Sequence, residues 1–408
     1  MAEVSETVDM PRVQAASRPP TLVCMPAITA DALHTVIDRL VTALPYGDIL
    51  IASPDAPPDS HIDSPHDGQT VRTVPYPPQP VHAGWLLTAA DYLAAANLAR
   101  EHNASTTLLL GPEAASLSAE ALHALCATVI QGADLALPRY NIGPHEGLVN
   151  AALLYPLSRA LYGVESRMPL TLDAAFSARM ANRFSVVARK PVSAGGDPML
   201  WPAAEAAVAS FTMREVAVGE RVLPHPEASD LNSLLARIAG SLFSDVEAKA
   251  AFWQRARNVT PPVVAPPAAG QANPASSEDM EEVTSMSESF RNAYTNLQEI
   301  WSLVVPPQSL LALKKLSLMS PEAFMMSPNL WARTVYDFML AHRLRTINRG
   351  HLLGAFTPLY LAWVGSHIRR ADGDPAAAEQ HIQETAAAFI AERPYVLGRW
   401  RWPDRFNP

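Results

Sequence analysis

The sequence predicts an α/β domain built on a mostly parallel sheet, followed by an all-α C-terminal domain. Three observations carry that expectation. From Pro20 to about residue 258, short β-prone apolar runs alternate with helical segments, the pattern of parallel strands joined by crossover helices. The stretch 259–285 is Pro- and Ala-rich and then acidic, cannot bury a core, and reads as a linker. Beyond it only helical periodicity remains: Phe290, Tyr294, Leu297 and Trp301 fall at spacings of four, three and four. The expected units are a disordered N-terminus 1–19, an α/β domain 20–258 and a helical domain 286–408.

Taken in order, "TLVCMPA" is the first strand, and Leu33, Val36, Ile37, Leu40 and Leu44 then recur at helical spacing. "GDILIASPD" and "TVRTVPY" are further strands, and "GWLLTAADYLAAANLARE" is an Ala/Leu-rich helix. "LLLGPEAASLSAEAL", residues 108–122, is a buried strand broken at Gly111 and Pro112, then a helix capped by Ser118. "ADLALPRY" is a strand, and "EGLVNAALLYPLSRALYG" a helix that Pro156 should kink. In the C-terminal part, "SPNLWARTVYDFMLAHRL" and "PAAAEQHIQETAAAFIAE" read as helices. The span 351–368, interrupted by Gly354, Pro358 and Gly365, reads as a buried helix hairpin rather than a membrane crossing.

Composition narrows the function. A chain of 408 residues, 49% hydrophobic, can bury more than one core, and a net charge of −9 argues against nonspecific binding to nucleic acid or anionic membranes. Cys24 and Cys126 both sit in apolar runs and read as buried thiols of a reducing compartment. With an N-terminus that has neither the basic nor the apolar region of a signal peptide, they point to the cytoplasm. His123 and Cys126, one helical turn apart, read as core packing. The sequence has no P-loop, no G-x-G-x-x-G, no G-x-S-x-G and no paired C-x-x-C, so the common nucleotide-hydrolysis, dinucleotide and serine-hydrolase readings lack their signatures.

Residues 132–170, "GADLALPRYNIGPHEGLVNAALLYPLSRALYGVESRMPL", carry a denser signal: Asp134, Pro138, Arg139, Tyr140, Gly147, Asn150, Tyr155, Pro156, Arg159, Gly163 and Pro169 keep a pattern. The segment resembles bacterial GT-A-fold glycosyltransferases, family-two-like enzymes related to mannosylglycerate synthase and glucosyl-3-phosphoglycerate synthase. "REVAVGERVLPHPEASDLNSLLARIAGSLFSDVEAKAAFW" is similar to the segment closing their catalytic domain. "NLWARTVYDFMLAHRL", "FTPLYLAW" and "AERPYVLGRW" are similar to their C-terminal helices.

The resemblance implies hexose transfer from a nucleotide sugar to a small hydroxylated or acidic acceptor. A divalent cation, Mg²⁺ or Mn²⁺, held by an Asp-x-Asp at a strand end would neutralise the leaving diphosphate. On the donor side it implies Asp55 for base or ribose, Gly84 in a phosphate-binding turn, and Glu113 with His225 at the metal. Asp173 and Glu205 stand at positions of catalytic or charge-handling acids. On the acceptor side it implies Arg139 and the backbone of Gly147, Leu148, Val149 and Asn150, at a helix start suited to anions.

The donor side departs from the family pattern. The Asp-x-Asp register falls on Gly111, Pro112 and Glu113, the turn at Gly84 has no lysine, and the "QPIGGD" turn reads "MPLTLD". Metal binding at 111–113 is therefore expected to be weak or absent. Glu113 is equally a solvated turn carboxylate, Asp173 a turn cap, His225 a loop histidine, and Arg139 an internal ion-pair partner of Asp134 or Glu146. Two functions remain open: an active glycosyltransferase, or a catalytically inactive relative that binds a ligand, an active paralogue or a second copy of itself.

Overall fold

The structure is a computed structural model that describes residues 19–45, 47–57, 59–66, 69–77, 85–143, 145–188, 199–224, 230–255 and 277–401. The N-terminal segment and most of the expected linker lie outside them. The strands are β1 (Thr21–Cys24), β2 (Ile49–Ala52), β3 (His61–Ile62), β4 (Val71–Val74), β5 (Thr106–Leu110), β6 (Leu135–Asn141), β7 (Asp173–Ser177) and β8 (Met213–Glu220). They form one eight-stranded sheet in the order β3-β4-β2-β1-β5-β7-β6-β8.

The sheet is mixed. β4, β2, β1 and β5 run parallel, as do β6 and β8, while β3 and β7 are antiparallel to their neighbours. The insertion of β7 has the largest effect on the end of β5. Because β7 runs against β5, its first residue, Asp173, pairs with Leu110, the last residue of β5.

The connecting helices are α1 (Ala30–Ala43), α2 (Ala89–Glu101), α3 (Ala119–Ile130), α4 (Tyr155–Tyr162), α5 (Ala178–Val187), α6 (Pro202–Val208), α7 (Leu231–Ala248) and α8 (Ala250–Trp253). Among the described residues beyond α8 the elements are all helices: α9 (Ser277–Val304), α10 (Pro307–Ser317), α11 (Pro328–Leu344), α12 (Arg349–Gly354), α13 (Thr357–Ala371), α14 (Pro375–Ala391) and α15 (Arg393–Arg401). The expected α/β sheet followed by helices is what the structure has. α9 begins at Ser277, inside the stretch read as a linker. An acidic run suits the positive end of a helix dipole as well as it suits a linker, so composition does not separate the two. The 351–368 span folds as α12 turning into α13, and no described helix is long and apolar enough to cross a membrane.

Strand alternation sorts the core into two layers. Val23, Ile51, Leu108 and Ala136 face α1 and α3. Leu22, Leu50, Leu109 and Leu135 face the other way, into a contiguous core that also holds Leu157, Phe184, Trp331, Phe356 and Trp363. The C-terminal helices thus share a core with one face of the sheet.

Proline shapes that junction. The expected kink appears as a π-helical turn, Asn150–Leu154, leading into α4, where the Tyr155 N–H reaches back to the Asn150 carbonyl. Pro156 has no N–H to offer the Ala152 carbonyl four residues before it. That carbonyl is met by the Trp331 indole N–H of α11 at 2.7 Å. Both cysteines are buried, as expected, and His123 bonds the Ala43 carbonyl at 2.7 Å.

Candidate functional site

In an open α/β sheet the crevice beyond the carboxyl ends of the strands is where ligands bind. Here the end of β5 is occupied by the protein itself. Asp173 and Arg221 form an ion pair at 2.9 Å with both side chains fully buried. Four donors fill the Asp173 carboxylate: the Gly111 N–H at 3.2 Å, the Tyr140 hydroxyl at 2.8 Å, and Arg221 Nε and Nη2 at 2.9 and 3.2 Å. Two oxygens offer about four lone-pair sites, so none is left for a cation.

Arg221 is saturated as well. Its Nη2 donates to the Pro112 carbonyl at 2.6 Å, and its Nη1 to the Glu113 carbonyl and to Ser116 Oγ and the Val222 carbonyl, both at 3.0 Å. Burial alone would lower the Arg221 pKa, but the Asp173 charge and hydrogen bonds outweigh it, and the net direction is up. Burial, then the Asp173 charge, push the Tyr140 phenol well above its ordinary range, so it stays a donor.

The backbone of the turn is fitted to this arrangement. Glu113 takes a left-handed conformation, φ 59°, which turns its carbonyl onto Arg221 while its side chain is exposed. A Cβ at Gly111 would lie 2.5 Å from the Leu172 carbonyl oxygen at the entry to β7. Only glycine fits. The first acid of an Asp-x-Asp has no room on this backbone, and a guanidinium lies against the turn where such a cation would be held. The residues present do not fit a divalent metal, and among the described residues no three His, Cys, Asp or Glu side chains are grouped to hold one.

The other expected site residues are dispersed. Asp55 is exposed in the turn after β2, its N–H 3.4 Å from Ser53 Oγ. Glu205, in α6, is held by Arg183 Nε and Nη2 at 2.9 and 2.7 Å and by Lys249 at 2.8 Å. Burial would raise its pKa, but Lys249 and Arg183 outweigh that and lower it, so its carboxylate is kept as an ion-pair partner. Gly84 and His225 lie outside the described residues.

On the acceptor side, a helical turn starts at Gly147, whose carbonyl accepts from the Asn150 N–H at 2.9 Å. The space beside Gly147 is filled, because a Cβ there would meet Ile142 Cδ1 at 2.7 Å. Asn150 spends its side chain on both backbone groups of Leu170 at 3.1 Å, and Leu148 and Val149 pack against the core. Arg139 does not pair with Asp134 or Glu146. Asp134 bonds Ser177, Thr212 and Arg179, and Glu146 accepts from the Gly143 N–H at 2.7 Å. Sequence reasoning missed Arg221. Its signal was a lone arginine between apolar runs in "GERVLP", with every partner except Val222 at least 48 residues away.

No known family model matches the chain, and no curated protein is similar to it in sequence at a significant level. Among solved structures, it is similar to glucosyl-3-phosphoglycerate synthase from Mycobacterium tuberculosis in complex with phosphoglyceric acid. That match covers 57% of this chain and 80% of the other, at 15% identity and a TM-score of 0.38. The same synthase with Mn²⁺, uridine diphosphate and phosphoglyceric acid matches over 57% and 78%, at 14% identity and a TM-score of 0.37. A likeness of this size leaves the functional reading to the site.

Proposed function

We propose that the chain is a glycosyltransferase-like protein of GT-A type that binds a small ligand without metal-dependent hexose transfer. The observation that carries this reading is Arg221, whose guanidinium grips the carbonyls of Pro112 and Glu113 and fills the Asp173 carboxylate. A cation at this turn would have to displace a buried, fully bonded guanidinium, and removing one member of such a pair strands the other charge. The resemblance over 132–170 supports the family. Nucleotide sugars and small anionic acceptors are its ligand classes, and two buried free thiols support a cytoplasmic setting.

An active transferase is the second reading, favoured by the exposure of Asp55 and Glu113 at the ends of β2 and β5. The experiment that separates the two is transfer of labelled hexose from UDP-glucose to glycerate and 3-phosphoglycerate, with and without Mn²⁺. The binding reading expects no Mn²⁺-dependent turnover and no Mn²⁺-dependent heat with UDP. Turnover that requires Mn²⁺ and is lost in Glu113→Ala would overturn it.

A further inference from the structure

We propose that a second cavity, on the face of β6 opposite the Asp173–Arg221 pair, binds a small organic phosphate. Alternation along β6 separates the two places. Tyr140 points to Asp173 on one face, while Leu137 and Arg139 look to the other, toward α4 and the C-terminal helices. There β6, the start of β8, the end of α4 with its adjoining loop, and α14 enclose about 600 Å³. Clefts of this size hold metabolites rather than protein segments.

The wall is rich in arginine. Arg139, Arg159 and Arg167 line it, with Arg214 at the edge strand. Of its three carboxylates, Glu165 lies exposed 3.6 Å from Arg159, and the other two fix Arg167. Glu379 pairs with Arg167 Nη2 at 2.9 Å, and Glu215 accepts from the Arg167 N–H at 2.6 Å. The Tyr155 ring lies under the Arg167 guanidinium, 4.5 Å from its centroid. So held, Arg167 keeps one terminal nitrogen, Nη1, buried and without a hydrogen-bond partner among the described residues. The Arg139 side chain makes no hydrogen bond or ion pair with a described residue, and Glu215 is the charge it faces.

A protein that spends every donor of one buried arginine and leaves the exposed Arg139 guanidinium without a hydrogen-bond partner in a cavity wall offers an anion a place there, with the braced Arg167 adding its charge. Planar guanidinium forks from separate elements match a phosphate better than a carboxylate, because its additional oxygens let more than one fork engage at once. The ligand class is therefore a phosphate ester small enough to be enclosed beside α14. This assignment is independent of whether the chain transfers hexose, since none of these residues touches the end of β5.

Calorimetry on the full chain tests it, with inorganic phosphate and glucose 1-phosphate as probes and glucose as the uncharged control. Both phosphates are expected to bind and glucose not to. Arg139→Ala and Arg167→Gln should each raise the dissociation constant about tenfold or more, the loss expected for a charge-assisted hydrogen bond. Arg139→Lys should retain part of the affinity, and Arg72→Ala, on distant β4, all of it. Arg139 is exposed, so its removal does not threaten the fold. No heat from either phosphate at millimolar concentration overturns the assignment, and so does binding undiminished in Arg139→Ala.

Discussion

Arginines stand on both faces of the β6–β8 ribbon, and the two sets are built in opposite ways. On one face Arg221 is fully buried, shares two contacts with Asp173 and gives its remaining donors to the turn after β5. On the other, the exposed Arg139 side chain hydrogen-bonds no described residue, and Arg167 is braced yet keeps a buried nitrogen unmet. A saturated guanidinium is part of the scaffold. An unsaturated one in a cavity wall is available to something else. The resemblance-based expectation placed metal and donor at the end of β5 and the acceptor at Arg139 and residues 147–150; bond by bond the structure closes the first place and fills the space beside Gly147, while Arg139 faces the cavity on the other side.

The largest test of this contrast is Arg221→Ala. It strands the Asp173 carboxylate in a dry site, and breaking a buried pair in this way costs about 3–5 kcal/mol. Urea unfolding should show that loss, with Arg221→Lys intermediate because an ammonium cannot span the carboxylate and two carbonyls together. A change within about 0.5 kcal/mol, the ordinary range for a surface position, would mean that the pair does not hold the turn.

A pH titration separates the paired charges from groups buried in neutral form. His381 in α14 faces His367 of α13, Nδ1 to Nδ1 at 2.9 Å, with Trp363 stacked on both rings. Burial lowers its pKa from 6.5 to about 4, with Glu384 opposing the drop and Arg370 adding a smaller push in the same direction as burial. His342 is lowered to about 4 by burial and by Arg349 and Arg345. A folded-state pKa below the unfolded one means that the contribution is complete above 6.5 and drains away as pH falls toward 4. The loss is about 3.5 kcal/mol at most per histidine, since each pKa unit is worth about 1.4 kcal/mol. Unfolding midpoints between about pH 6.5 and pH 4.5 read it, ahead of the acid range in which Glu205 loses its ion pairs. If His381→Phe keeps the full wild-type slope in that window, His381 is not its source.

Gly111→Asp restores the first acid of an Asp-x-Asp and asks whether the turn can be reopened. The new Cβ meets the Leu172 carbonyl oxygen, so the substitution should cost about 2–3 kcal/mol, toward the upper end for overpacking. It should bring no Mn²⁺ binding while Arg221 remains. Micromolar Mn²⁺ binding in this variant would show that glycine at 111 was the only barrier.

How much of the molecule is legible in its sequence depends on the range of the interactions. Strand–helix alternation, the cap at Ser118, the buried thiols and the placing of Glu113 at a strand end are local patterns, and they are legible. The helical start of α9 was hidden because an acidic run serves a linker and a helix N-terminus alike. Arg221 was hidden for a different reason. It meets Asp173, Pro112 and Glu113 across 48 to 109 residues, and only the antiparallel insertion of β7 brings those elements together. The placement of Arg139 was half legible. Alternation with Tyr140 already puts the two on opposite faces, but the α14 wall across from Arg139 comes from a segment more than 230 residues later.

The smallest expected effect is the most discriminating. Arg139→Ala should leave stability within about 0.5 kcal/mol of wild type, because an exposed side chain that bonds no described residue takes nothing with it. Arg139 and Tyr140 are consecutive on β6, with a register shift against β8 between them. A fold built around both would be damaged by losing either. Tyr140→Phe removes a hydroxyl that bonds Asp173 at 2.8 Å and leaves one lone pair of a buried carboxylate unmet, at a cost of about 1–3 kcal/mol. Measured side by side, the pair should split into a costly change on the sealed face and a silent one on the open face. Equal losses would place Arg139 in the scaffold and end the distinction between the two faces.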